Sequence, residues 1–232
     1  MSPTPNRVLE VLADEDAVAR RAADIVAASA REAIEARGRF TFAVSGGRTP
    51  WAMFRELADE AVPWGKVGIW QVDERIAPDG DPDRNLTSLA PVLPADAELH
   101  PMPVTEVDLE AAADRYAGSL PDVFDLVHLG IGDDGHTASL VPDDPVLVVT
   151  DREVALTGEY RGRRRMTLTY PVLDRARRVL WLIAGDEKTP MLPRLLAGYE
   201  LFAERNRFVP VRNEPALASA LEQAESLAGG RK

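Results

Sequence analysis

An α/β fold is what this sequence predicts: a mostly parallel sheet covered by helices on both faces, with a small antiparallel addition. Three observations lead there. Short apolar runs that read as buried strands alternate with longer segments of helical periodicity, the pattern of a parallel sheet with crossover helices. Two segments of period two, 153–156 and 166–169, flank a basic turn and read as paired strands. Apolar runs at 40–44 and 126–129 break abruptly into glycines, and in an open α/β sheet such turns at strand ends are where ligands bind.

Residues 7–12 read as a short first strand. Residues 15–37 follow as a helix, with Val18, Ala22, Ile25, Val26, Ser29, Ala33 and Ile34 at helical spacing and charged residues opposite. Gly38 suits its C-terminal cap. Residues 40–44 form a compact apolar strand. Thr49 as N-cap and Pro50 at the first helical position restart a helix, because proline's missing N–H costs nothing there. The next strand is 67–72. An irregular charged loop, DERIAPDGDPDRN, then leads to a short helix near 85–90 and a small strand near 98–102. Residues 108–119 read as helix, with Leu109, Ala112, Ala113 and Tyr116 inward. Strands at 124–129 and 179–184 frame the paired strands. Helices near 187–197 and 214–228 finish the chain. No internal repeat, low-complexity tract or long linker interrupts it, so residues 1–232 read as a single domain, and the Pro- and Asp-rich stretches 78–84 and 142–145 are loops within it.

Composition narrows the function classes. There is no cysteine, which excludes disulfides, zinc–thiolate sites and thiol catalysis. No stretch approaches the ~18 apolar residues of a membrane span, and the N-terminus lacks the pattern of a signal peptide, so a cytoplasmic location is expected. The net charge of −11 argues against nucleic-acid and anionic-membrane partners. Any anionic small-molecule ligand then requires locally concentrated positive charge. Monomer and homodimer both remain open.

Four segments carry candidate chemistry. Ser45-Gly46-Gly47-Arg48-Thr49 lies between a strand and a helix, where glycines permit close backbone approach and a helix N-terminus offers free N–H groups, so it reads as a phosphate cradle or as a plain tight turn. Asp73-Glu74-Arg75 follows a strand, and these side chains either orient a polyol or balance one another as a solvated cluster. Asp133-Asp134-Gly135-His136-Thr137 follows the strand LVHL and its Gly-Ile-Gly turn; a histidine beside carboxylates suits general-base chemistry. Thr137 and Ser139 either cap the turn or contact a ligand. The fourth is Arg161-Gly162-Arg163-Arg164-Arg165 with Lys188. Arginine's planar fork suits phosphate, and one of Arg164 or Arg165 is the expected anchor. His128 reads as core, and His100 carries no signal. No metal site emerges, and Gly130-x-Gly132-x-x-Gly135 lacks the helix and distant acid of a dinucleotide fingerprint.

Together the segments SGGRTP (45–50), VDER (72–75) with Asn85, LGIGDDGHTASL (129–140), RRMTLTYPVL (164–173) and VLWLIAGDEK (179–188) resemble the 6-phosphogluconolactonases. These sit in a wider group that includes glucosamine-6-phosphate deaminase. The resemblance implies a three-layer α/β/α, Rossmann-like fold and cofactor-free hydrolysis of 6-phosphogluconolactone in the oxidative pentose phosphate pathway. In the deaminases a pattern like IAFNEP follows the histidine, and its glutamate assists ring opening. Val141 stands in that place here and cannot carry a proton. A non-catalytic sugar-phosphate sensor is a further alternative, although the first 40 residues offer no DNA-binding helix-turn-helix. Arg48 and the C-terminal FVPVRNEPALASAL depart from the family pattern. On this footing His136 is the expected general base and Asp134 its orienting carboxylate. Arg75 or a backbone N–H of 45–49 would face the oxyanion. Arg165 and Lys188, with Gly46 and Gly47, would hold the phosphate.

Overall fold

A computed structural model describes residues 7–192, 195 and 207–212. Seven parallel strands form the central sheet, in the order β1-β10-β9-β6-β2-β3-β5. They are β1 (Arg7–Leu12), β2 (Phe40–Val44), β3 (Val67–Gln71), β5 (Glu98–His100), β6 (Leu126–Leu129), β9 (Val179–Trp181) and β10 (Arg207–Arg212). The remaining strands β4 (Asp73–Arg75), β8 (Arg165–Leu168) and β7 (Val154–Leu156) form a separate antiparallel sheet in that order. The expected hairpin is present, and it recruits a third strand from the charged segment at 73–75, which the sequence reading placed in a loop.

Alternation along the strands divides the core. Phe40, Phe42 and Val44 of β2 face one layer with Ile69, Leu126 and Leu180, and helices α1 (Glu15–Arg37) and α2 (Arg48–Leu57) cover them through Val18, Ala22, Val26, Met53 and Phe54. Ala43, Trp70, Val127, Leu129 and Trp181 face the other layer, against α4 (Leu109–Ala117), α5 (Tyr170–Asp174) and the small sheet. Fully burying one such phenylalanine stabilises the fold by about 1.5–3 kcal/mol. Asp14 caps α1 by accepting from the Ala17 N–H at 2.7 Å, and Gly38 ends it at φ 81°.

Beyond shifts of a few residues at element ends, three further features differ from the sequence reading. Helix α2 begins at Arg48 with Gly47 as N-cap, so Thr49 is not the cap and Pro50 lies inside the first turn. Gly47 sits at φ 133°, which a glycine adopts without penalty, and that lets the helix start earlier. Strand β10 was not expected. Its Pro210 argues against a strand, yet β9 pairs only with Arg207 and Phe208, so Pro210 has a strand neighbour on the β1 side alone. The expected helix near 187–197 is, over Asp186–Met191, a 3₁₀ helix containing Pro190. The helix expected at 214–228 lies outside the described residues.

The chain winds from β2 through β3 to β5 in one direction and from β6 through β9 to β10 in the other. The reversal falls between β2 and β6, which pair directly with Val44 opposite His128. A crevice outside the carboxyl ends of the strands at such a reversal is the usual ligand site of an open α/β sheet.

Candidate active site

A cavity of about 410 Å³ opens at that reversal, lined by Ser45, Gly46, Asp73, Arg75, Asn85, the 130–133 turn, His136, Thr137, Ala138, Arg161, Arg165 and Lys188. The elements deliver these groups for local reasons. Residues 45 and 46 leave β2 beside β6. The Ser45 N–H donates to His128 Nδ1 at 3.2 Å and its Oγ donates to the His128 carbonyl at 3.1 Å. His128 is therefore a buried brace for this loop. Burial holds its pKa down to about 3, so it is neutral.

The turn after β6 closes on itself. The Gly132 N–H donates to the His136 carbonyl at 2.7 Å, and Gly135 adopts φ 92°. This brings His136 Nδ1 to 2.5 Å from Asp134 Oδ1, and the same oxygen accepts from the His136 backbone N–H. Asp134 Oδ2 accepts from the Tyr160 hydroxyl at 2.6 Å. Burial pushes the Asp134 carboxyl up, but the hydrogen bonds from Tyr160 and from the His136 backbone and ring outweigh it and hold it well below the usual carboxylate range. A charged Asp134 assigns the proton of His136 to Nδ1 and leaves Nε2 as the nitrogen free to accept one.

Opposite the dyad stands the small sheet. Arg75 and Arg165 are direct cross-strand partners on β4 and β8. Like charges in that relation repel unless an anion lies between them. Arg75 is tied to the Asn85 side chain and donates to the Asp83 carbonyl at 3.1 Å. Asn85 also donates to the Asp73 carbonyl at 2.9 Å. Arg165 is buried and has no carboxylate partner among the described residues, and its Nε is unpaired. Burial pulls its pKa down and nearby Asp73 pushes it up. Lys188 likewise has no ion pair among the described residues. Asp73 Oδ2 accepts from Ser139 Oγ at 2.6 Å, which places Ser139 in the support of the site, whereas Thr137 lines the cavity with its buried Oγ1 unpaired.

Of the residues singled out from sequence, Ser45, Gly46, Asp73, Arg75, His136, Arg165 and Lys188 gather around this one cavity, with Asp134 behind His136. Gly47 and Arg48 are exposed and do not line it, nor does Thr49. Arg48 follows the helix start outward, so the cradle is made by residues 45 and 46. Glu74 points away from the cavity and accepts the Asn85 and Leu86 N–H groups at the start of α3 (Asn85–Leu89). In the basic turn, Arg163 pairs with Asp81 and Asp83, and Arg164 donates to the Thr157 carbonyl. Arg161 lines the cavity and pairs with Asp133 at 2.6 Å. Tyr160 was not singled out from sequence, and Arg161, inside the basic candidate segment, was passed over in favour of Arg164 or Arg165. Their signal was faint: an aromatic directly before a run of arginines.

The family model for glucosamine-6-phosphate isomerases/6-phosphogluconolactonase matches residues 13–214. The chain therefore belongs to this family. A 6-phosphogluconolactonase of Synechocystis is 38% identical over 205 residues, covering 82% of this chain and 85% of that protein. One from Nostoc is 32% identical, covering 90% and 93%. Among solved structures, a 6-phosphogluconolactonase from Shewanella baltica superposes with a TM-score of 0.79 at 26% identity, covering 89% of this chain and 97% of that one.

Proposed function

We propose that this chain hydrolyses 6-phospho-D-glucono-1,5-lactone to 6-phospho-D-gluconate, with His136 as general base on water. The observation that carries the reading is the pairing, across one cavity, of the Asp134–His136 dyad with the cations Arg75, Arg165 and Lys188. The relatives named 6-phosphogluconolactonase support the same activity.

His136 Nε2 takes a proton from water as the water oxygen attacks the lactone carbonyl carbon, and the negative charge moves onto the carbonyl oxygen. Collapse of the tetrahedral intermediate breaks the bond to the ring oxygen, which receives the proton from His136. Asp134 stays ionised and stabilises the transient imidazolium. Arg75, held by Asn85, faces the developing oxyanion, the kind of preorganised donor that lowers such barriers. Arg165 and Lys188 hold the 6-phosphate with Ser45 and Gly46. Anchoring the phosphate fixes the carbonyl relative to the base. Val141 is buried and the cavity lining has no carboxylate at that place, which disfavours the amino-sugar isomerase chemistry. One catalytic domain over 1–232, acting in the cytoplasm, goes with this reading.

The test is hydrolysis of freshly prepared lactone, followed by coupled oxidation of the 6-phosphogluconate formed, against a no-enzyme control. The wild-type rate should exceed the control clearly, and His136→Ala should lose about 10²–10⁴ in kcat. A wild-type rate equal to the control overturns the activity. Ammonia release from glucosamine 6-phosphate would assign the deaminase reaction instead.

A further inference from the structure

The tip of the β7–β8 hairpin meets both halves of the site at one side chain. Tyr160, Arg161, Gly162 and Arg163 form a two-residue turn, with backbone hydrogen bonds in both directions between Tyr160 and Arg163. Arg161 and Gly162 both take left-handed conformations, at φ 51° and 77°. That is the mirror-image turn whose twist matches paired strands, so the tip is a rigid support for its side chains. It is also tied down. Arg161 pairs with Asp133 in the turn after β6, and Arg163 pairs with Asp81 and Asp83.

From this support Tyr160 reaches two ways. Its hydroxyl donates to Asp134 Oδ2 at 2.6 Å, on the oxygen opposite the one that holds His136. Its ring meets the His136 imidazole edge-on, with centroids 5.4 Å apart. The Arg165 guanidinium lies over the same ring at 4.8 Å. We propose that Tyr160 is a positioning residue with two separable duties: its hydroxyl aims the Asp134–His136 dyad, and its ring holds Arg165 where the substrate phosphate binds.

The duties separate because they use different atoms. Without the hydroxyl, Asp134 keeps its bonds to His136 but loses the contact that fixes its second oxygen, so the carboxylate can rotate. Without the ring, Arg165 loses its stacking surface, and it has no carboxylate partner among the described residues to replace it. Burial and the bond to Asp134 raise the Tyr160 pKa, which keeps the hydroxyl a donor at neutral pH. Two groups that must act together on one substrate are thereby referenced to the same side chain.

This inference rests on the roles proposed above for His136 and Arg165, so the test carries both as controls. Steady-state lactone hydrolysis is measured for wild type, Tyr160→Phe, Tyr160→Leu, His136→Ala and Arg165→Ala, with thermal melting of each. Tyr160→Phe should lower kcat roughly ten- to hundredfold, the scale of one hydrogen bond to a charged group, with KM within about twofold. Tyr160→Leu should show that same kcat loss and also raise KM about three- to thirtyfold, the scale of a lost cation–π contact. An unchanged kcat in Tyr160→Phe, while His136→Ala is impaired, overturns the hydroxyl's duty alone. Equal KM in the Phe and Leu variants, while Arg165→Ala raises KM, overturns the ring's duty alone. An unimpaired His136→Ala overturns the base assignment, and the dyad-aiming duty falls with it. A merely structural Tyr160 would move the melting temperature without splitting kcat from KM.

Discussion

Gly132 lies against His136 so closely that a methyl group on it would overlap the ring atoms Nδ1 and Cε1 and stand 2.8 Å from Asp134 Oδ1. The glycine is thus the floor on which the dyad rests. Gly132 is not among the residues at positive φ, so its φ sets no barrier to an alanine, and the nearest atoms the new methyl would meet belong to the His136 and Asp134 side chains. Gly132→Ala should displace the imidazole by about an ångström and lower kcat about 10²-fold, since misplacement on that scale costs about that much. Melting temperature should change little. Full activity in this variant would mean that the dyad's geometry does not govern the rate.

Arg165 is a buried cation opposite another cation, Arg75, with no salt bridge among the described residues and only the more distant Asp73 carboxylate to offset its charge. That arrangement is unfavourable in the empty protein and favourable once a phosphate arrives. Arg165→Ala should raise KM for the lactone at least about tenfold with a smaller effect on kcat, because it removes binding common to ground and transition states. The ligand-free variant should melt no lower than wild type. Added inorganic phosphate should raise the wild-type melting temperature, as a ligand that binds only the folded state does, and raise the variant's much less. Equal phosphate stabilisation of both would transfer the anchor to Lys188 or Arg161.

How much of this was legible follows from which interactions are local. The central strands were legible because Phe40–Val44, Val67–Gln71 and Leu126–Leu129 are apolar along their whole length, as strands covered on both faces must be. His136 and Asp134 were legible because the turn that joins them is contiguous in sequence. Strand β4 was not, since Asp73-Glu74-Arg75 becomes a strand only by pairing with β8, about ninety residues later. Separation in sequence also hid Tyr160, whose bond to Asp134 joins residues 26 apart. Arg48 misled in the opposite way. Its place beside two glycines resembled a phosphate clamp, but the earlier helix start turns it out to solvent.

Glu74 shows what a buried charge does for a site it never touches. It is fully buried and accepts hydrogen bonds from the Arg75, Asn85 and Leu86 N–H groups at 2.7–2.8 Å and from Gln71 Nε2 at 2.8 Å, with the Arg84 guanidinium 3.7 Å away. Glu74→Ala would leave four donors without their acceptor and Arg84 with Asp79 as its remaining carboxylate partner. Stripping one partner from a buried charged pair costs about 3–5 kcal/mol. At roughly 2–4 °C per kcal/mol, the melting temperature should fall by about 6–20 °C. Activity should fall as well, because Arg75 and Asn85 lose their common anchor. A melting temperature within a degree or two of wild type would refute the network's stabilising role.

His128 predicts the acid sensitivity of the fold. Its folded pKa is about 3 because burial disfavours the charged ring, whereas an unfolded histidine titrates near ~6.5. Between those values the unfolded chain holds one proton that the native state does not. Stability therefore rises with pH across the window and is lost as pH falls through it, by about 1.4 kcal/mol per unit for this group. Carboxylates join below about pH 5, so pH 5–6.5 reads the histidines, among them His100, whose pKa burial also lowers, and the His128 share is the difference between wild type and a His128 variant. His128→Asn keeps an acceptor near the Ser45 N–H and removes the titration. Its urea midpoint should be lower than wild type at pH 7.5, because the smaller side chain leaves a void, but it should decline less steeply from pH 6.5 to 5. Parallel declines in the two proteins would show that another group sets the acid limit.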